Sequence, residues 1–323
     1  MDDATRTPTA RTLRVAAVQM PSRLADTAGN LARATGHGER AVAEGAELLL
    51  FPELMPGGYA WDERAWAGAE PSDGPTARWL RETAARLGVW LGTSFLEAAG
   101  EDFWNTFVLA GPDGNEAGRV RKAFPSMFEA RVFRGDPGTH AIDTPFGRVG
   151  VGICFDAHTV AVARQFVDAD VDLVLAPHCY CVPRAPSRGV SQADIDRLVG
   201  NLAEVPRIYA GALGVPAVAT NRVGDWDVAG REGYAFPGKA AIVDGGAVRA
   251  QLGAGEGIAV ADVTLDAAAK THRAPAAHGR YIYPGPPGRE ILRLIEWREG
   301  RRYRRNPGRA AAVRDVELAV PVG

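Results

Sequence analysis

The sequence predicts an α/β protein in which mixed β-sheets are covered by helices. Three observations predict it. Short apolar runs read as buried strands, helical-period stretches alternate with them from end to end, and paired runs joined by glycine/proline turns read as hairpins. With 323 residues, 46% of them hydrophobic, the chain can fill a large core. No shift in composition marks a boundary before about residue 275. The expected organisation is therefore a loose polar tail at 1–12, one domain over 13–275, and an extension, 276–323, packing on the domain or on a neighbouring subunit.

In chain order, LRVAAVQM (13–20) is a buried strand, 27–44 a helix, and AELLLF (46–51) a second buried strand. A helix over 74–88 offers Trp79, Leu80 and Leu87 to one face, and 89–95 is the strand after it. Runs 106–110 and 118–122 pair across Gly111-Pro112-Asp113-Gly114, and 139–143 pairs with 148–154 across Thr144-Pro145-Phe146-Gly147. The rhythm then repeats: helix 159–168, strand VDLVLA (171–176), helix 192–212 with a break expected at Pro206, and strand 216–220. Strands 239–244 and 247–252 pair across Gly245-Gly246, and 257–263 follows. Segment 222–238, with four glycines and no period, is expected to be a long functional loop. After the Pro/Gly-rich stretch at 284, a short Arg-rich helix and tail follow, in which 298–305 (REGRRYRR) reads as a solvated face or a subunit contact.

Charge narrows the function classes. The 37 cations against 39 anions give a net charge of −2, with no electrostatic footprint for nucleic acid or an anionic membrane. The uncharged stretch 208–221 is 14 residues long and broken by Gly211, Gly214 and Pro216, too short to span a bilayer. The first dozen residues lack the apolar core of a signal peptide. Three cysteines (154, 179 and 181) cannot all pair, so a reducing, cytoplasmic setting is expected. His178 beside Cys179-x-Cys181 has no second cysteine pair at zinc spacing, and neither a metal nor a cofactor is expected.

Reactive residue types end three separated strands. Cys154 follows VGVGI at a strand-to-helix junction, where backbone N–H groups and a helix start favour the thiolate. The N–H of Phe155 is placed to donate to an oxyanion forming on an attacked carbon. Glu53 follows Phe51-Pro52 at the end of AELLLF. Lys122, one of only three lysines in the chain, ends a hairpin strand. Carboxylate, ammonium and thiol at three strand ends are expected to converge on one sheet edge, where α/β folds build their sites.

Phe51-Pro52-Glu53, Arg121-Lys122 and Gly152-Ile153-Cys154-Phe155-Asp156 resemble, in order and spacing, the three signature elements of the carbon–nitrogen hydrolase (nitrilase) superfamily. Trp104-Asn105-Thr106 and Thr220-Asn221-Arg222-Val223-Gly224 add to the likeness, which runs from about residue 13 to 266. The resemblance implies a four-layer α-β-β-α sandwich with two mixed β-sheets and a Glu-Lys-Cys triad. Cys154 would be the nucleophile, Glu53 the general base and later acid, and Lys122 the oxyanion stabiliser. Glu129, seven residues beyond Lys122, would orient Lys122 and the substrate nitrogen. It also implies a homo-oligomer, a dimer or larger, formed through helices after the nucleophile strand.

The chain departs from the family pattern at Ala157-His158-Thr159 and at His178-Cys179-Tyr180-Cys181, which bears on substrate more than on reaction. Phe155-Asp156 is closer to amidases than to nitrilases proper. Tyr59, Phe155 and His178 are expected to touch the substrate, with Trp61 and His158 nearby; Arg184 and Arg231 are candidates for a substrate carboxylate. The expected activity is hydrolysis of a linear amide, carbamoyl or ureido compound. Acyl transfer, nitrile hydrolysis and an inactive binding protein are the alternatives.

Overall fold

The computed structural model describes residues 10–226, 228–285 and 289–319. Most of the expected tail (1–9) therefore lies outside the described residues, and Arg11 and Thr12 already belong to the first strand. The first sheet has the order Gly257–Leu265, Arg11–Gln19, Leu48–Leu50, Trp90–Ala99, Asp102–Ala110, Glu116–Arg121, with Glu70–Pro71 paired to Trp90–Ala99. The second runs Ala247–Gln251, Ala241–Asp244, Ala217–Thr220, Leu173–Pro177, Gly147–Val151, Ala141–Thr144. Each sheet is mixed, with parallel pairs at its centre and antiparallel pairs toward its edges.

The two-residue period of the strands sorts the core into layers. From Arg11–Gln19, Leu13, Val15 and Ala17 face the second sheet and meet Val149, Val151, Leu173 and Val218. Ala16 and Val18 point the other way, onto α1 (Thr27–Ala43) and α2 (Pro75–Leu87), through Leu31, Ala34, Leu80 and Ala84. Val174, Ala176, Ala217 and Ala219 of the second sheet turn outward to Val162, Phe166, Val205 and Tyr209 of α3 (Val160–Asp168) and α4 (Gln192–Leu213). The result is the expected α-β-β-α sandwich. Each fully buried Leu, Val or Phe in these layers contributes about 1.5–3 kcal/mol.

The chain differs from its sequence reading in four places. The strand expected at 89–95 runs on to Ala99 and forms a hairpin with Asp102–Ala110, turning at Gly100 (φ 68°). No break occurs at Pro206, which sits inside α4. Buried Val205 and Tyr209, with the Tyr209 hydroxyl donating to Ala157 O (2.9 Å), hold the helix across the missing N–H. The segment 222–238 is not all loop. Val223–Asp225 and Tyr234–Pro237 pair, and Val182–Pro183 adds a third strand. Finally, the extension is two helices, α5 (Arg289–Arg305) and α6 (Arg309–Leu318). α5 packs on a 3-10 turn, Met127–Arg131. Its Arg298 and Arg302 converge on the fully buried Glu299 (2.9 and 3.0 Å), and Tyr303 accepts from Phe103 N (2.8 Å). Among the described residues, no helix is long and apolar enough to cross a membrane.

Candidate active site

Strands of both sheets end at one place. Glu53 lies three residues beyond Leu48–Leu50, and Lys122 directly follows Glu116–Arg121, its N–H still on Asn105 O (2.8 Å). From the second sheet, Cys154 opens a 3-10 turn, Cys154–His158, three residues past Gly147–Val151. Gly152 permits that turn to fold back, since a Cβ there would meet the Ala157 Cβ at 2.8 Å. Asp156 then ties the turn to the segment after Lys122, accepting from Ala123 N and Phe124 N at 2.9 Å each.

Lys122 is the hub. Its Nζ donates to Glu53 Oε1 and to Glu129 Oε2, both at 2.7 Å, and all three residues are buried. Glu53 also accepts from Asn105 Nδ2 (2.7 Å) and Cys179 N (2.8 Å). Glu129 accepts from Ser126 N (2.7 Å) and the Tyr59 hydroxyl (2.8 Å), onto which Trp61 Nε1 donates (2.9 Å). Cys154, 5% exposed, is close enough to Glu53, Lys122 and Glu129 that their charges act on its thiol. Three non-glycine residues with left-handed backbone adjoin this cluster: Leu54 (φ 48°), Met127 (φ 51°) and Cys154 itself (φ 49°). Each costs about 1–3 kcal/mol and persists only where its surroundings enforce it.

Two carboxylates around one ammonium leave the cluster with one excess negative charge. Burial raises the Glu53 carboxyl pKa, with Glu129 adding to it and Lys122 opposing. Burial likewise pushes the Cys154 thiol well up, and Glu53 pushes it further. The expected thiolate is thus not the resting form. The helix-terminus argument fails because desolvation dominates and only a five-residue turn follows the sulfur. Burial disfavours the Lys122 ammonium, but Glu129 and Glu53 outweigh it and hold its pKa well above the usual value. Such a site keeps a fixed cation beside a neutral thiol and a carboxylate of raised basicity. It can move a proton from sulfur to carboxylate and steady a negative oxygen. Phe155 N–H, in the first turn of the 3-10 helix, has no intrahelical acceptor.

The remaining expected residues find further protein partners. Tyr59 and Trp61 join Trp226 and Tyr234 in an aromatic roof; Tyr59 stacks on Trp226 at 5.2 Å. Phe155 is half-buried and packs edge-on to Tyr281 (5.8 Å). His178 is fully buried with both ring nitrogens engaged by protein, so neither is left for a substrate; His158 is its partner at 3.1 Å. Arg184 pairs with Asp225 (2.9 Å) and Arg231 lies over the Trp61 ring (5.3 Å). Sequence reasoning gave no role to Asn105, Asp156 or the Cys179 N–H. Asn105, a polar residue within the largely apolar strand Asp102–Ala110, and Asp156, a carboxylate two residues past Cys154, carried a usable signal. The Cys179 N–H carried none, because any residue supplies one.

Two facing mixed sheets covered by helices, with a buried Glu–Lys–Glu cluster and a thiol at their shared strand ends, define an α-β-β-α hydrolase. The chain belongs to the carbon–nitrogen hydrolase family, whose model matches residues 14–273. It is accordingly an enzyme, an amidohydrolase in the broad sense. It is 31% identical over 209 residues to an N-carbamoylputrescine amidase of Arabidopsis thaliana, covering 62% of this chain and 67% of that one. It is 30% identical to a nitrilase of Pyrococcus abyssi, over 54% of this chain and 68% of that protein. In three dimensions it resembles the carbon–nitrogen hydrolase from Helicobacter pylori G27, with TM-score 0.67 and 22% identity over 80% of this chain and 90% of that one. An amidase from Nesterenkonia sp. gives TM-score 0.64 at 23% identity, over 79% and 91%.

Proposed function

We propose that the enzyme hydrolyses a linear amide or a carbamoyl (ureido) compound through a thioester on Cys154. One observation carries the reading. The Cys154 thiol shares a buried cluster with Lys122, whose ammonium is held at 2.7 Å by both Glu53 and Glu129. Similarity to carbamoylputrescine amidases supports the substrate class.

Glu53 takes the thiol proton as sulfur attacks the carbonyl carbon. The carbonyl oxygen becomes an oxyanion facing the Lys122 ammonium and the Phe155 N–H. Glu53 returns the proton to the nitrogen, the C–N bond breaks, and ammonia or an amine leaves a thioester behind. A water then gives its proton to Glu53, its oxygen attacks the thioester, and collapse expels the sulfur, which regains the proton. Glu129 keeps Lys122 charged and aimed. The raised basicity of Glu53 suits a group that must both take and return a proton. We also propose a cytoplasmic homo-oligomer. Free thiols fit a reducing compartment, and Ile291, Leu294 and Trp297, all more than half exposed along one face of α5, fit a subunit contact.

The test is ammonia release from a panel of amides, ureido compounds and nitriles. The expected result is turnover of amides or ureido compounds that vanishes in Cys154→Ala. Turnover of nitriles alone, or full activity in Cys154→Ala, would contradict it.

A further inference from the structure

Behind the candidate site lies a second buried polar chain that the mechanism above does not use. His158 is the last residue of the turn that Cys154 opens, and His178 follows the strand Leu173–Pro177 and precedes Cys179. Their Nε2 atoms are 3.1 Å apart. His178 Nδ1 lies 2.8 Å from Ala176 O and 3.2 Å from Thr220 O, two acceptors, so it carries the proton and donates. His178 Nε2 must then accept, which makes His158 Nε2–H the donor and leaves His158 Nδ1 to accept from the Tyr283 hydroxyl at 2.6 Å. The protons therefore run one way, from Tyr283 through His158 and His178 to two carbonyls.

Both imidazoles sit on segments that carry or hold the reacting groups. His158 shares a five-residue turn with Cys154. The His178 carbonyl accepts from Glu53 N (3.2 Å), and the next N–H, that of Cys179, donates to Glu53 Oε2 (2.8 Å). The imidazole pair is thus a direct side-chain tie between the sulfur's turn and the loop gripping the carboxylate. Two imidazoles in an apolar core are costly unless each nitrogen is paired, and here all four are. Burial holds both rings uncharged near neutrality, His178 down to about 4, as the one-way chain requires.

We propose that His158 and His178, with Tyr283 from the C-terminal segment, are positioning residues that set the spacing between Cys154 and Glu53. The inference rests on the Cys154–Glu53 reading above. It makes the segment beyond the family-matched region, at least through Tyr283, part of the active-site architecture. Reacting groups displaced by about 1 Å lose about 100-fold in rate, so the tie acts on kcat rather than on substrate affinity.

The test compares His158→Phe, His158→Gln, Tyr283→Phe and the double variant H158F/Y283F in the full-length enzyme. Thermal midpoint, kcat, KM and the rate of Cys154 alkylation by iodoacetamide are measured for each. His158→Phe is expected to lower kcat by about 10- to 100-fold with KM within about threefold. His158→Gln, which can still accept from Tyr283 and donate to His178, restores most of it. Tyr283→Phe, which removes a single oxygen, lowers kcat about threefold or more, and the double variant is no worse than His158→Phe alone. A kcat within about twofold of wild type in Tyr283→Phe and His158→Gln alike, where His158→Phe is either equally active or unfolded, would overturn the proposal. So would losses that add independently. Should Cys154→Ala keep full activity, the underlying Cys154–Glu53 reading falls instead, and the two failures are told apart.

Discussion

Glu53 and Glu97 are both buried carboxylates paired to cations at the same end of one hairpin strand, yet their surroundings push them in opposite directions. Their partners, Lys122 and Arg121, are consecutive residues that point to opposite faces. Glu97 collects Ser72 Oγ (2.5 Å), Thr106 Oγ1 (2.6 Å) and Arg121 Nε (2.9 Å), with Arg119 at 3.4 Å. Burial alone would raise its pKa, but these donors win and lower it. Glu53 has Lys122, Asn105 and the Cys179 N–H, but shares its space with Glu129 and a thiol, and desolvation wins. Burial does not mark a functional carboxylate. The balance between desolvation and the charges and donors around a carboxylate sets which way its pKa moves.

Substitutions at the paired positions sharpen that contrast. Lys122→Arg should lower kcat by about 10³-fold or more, because a planar fork cannot replace a compact ammonium between two carboxylates at 2.7 Å. Arg121→Lys next door should leave kcat within about threefold. Equal losses in the two folded variants, measured by steady-state ammonia release, would erase the distinction. Glu53→Gln comes next, with about 10²- to 10³-fold lost from kcat and the fold retained by circular dichroism. Glu97→Gln should keep kcat within about threefold but cost about 1–2 kcal/mol in denaturant unfolding, since three donors lose a charged acceptor.

A smaller effect concerns pH. The folded pKa of His178 is lowered to about 4 from an unfolded value near 6.5, so the unfolded chain binds protons first on acidification. Stability from this group is complete above pH 6.5 and falls toward pH 4. The His178 share of the loss between pH 7 and pH 5, read as the difference between wild type and His178→Gln, should be about 2 kcal/mol by urea unfolding. His178→Gln should flatten that dependence; an unchanged slope would place the acid sensitivity elsewhere.

How much of this was legible beforehand varies with the physical origin of each feature. The sandwich followed from strands such as 13–20 and VDLVLA, whose apolar runs demand burial on both faces. Glu53, Lys122 and Cys154 stood out because unlike chemical types each followed such a run. Asn105 falls outside the expected strand because the apolar run reads from 106, four residues after the strand begins at Asp102. The protonation of Cys154 is hidden from the sequence for a different reason. A sequence shows the helix start that favours a thiolate, but not the desolvation and the neighbouring Glu53 that overrule it. Nor could spacing show that Tyr283, 125 residues from His158, closes a chain behind the nucleophile.

The central claim is that sulfur 154, with Glu53 as its base, forms a covalent acyl enzyme. Intact-mass spectrometry after rapid acid quench, on wild type and Glu53→Gln mixed with an amide that is turned over, tests it most directly. The account predicts a mass increase equal to the acyl group, mapped to Cys154 and not to Cys179 or Cys181, in the wild type at steady state, with its formation slowed in Glu53→Gln. An adduct on either other cysteine, or turnover with no adduct trapped at any quench time, would contradict it.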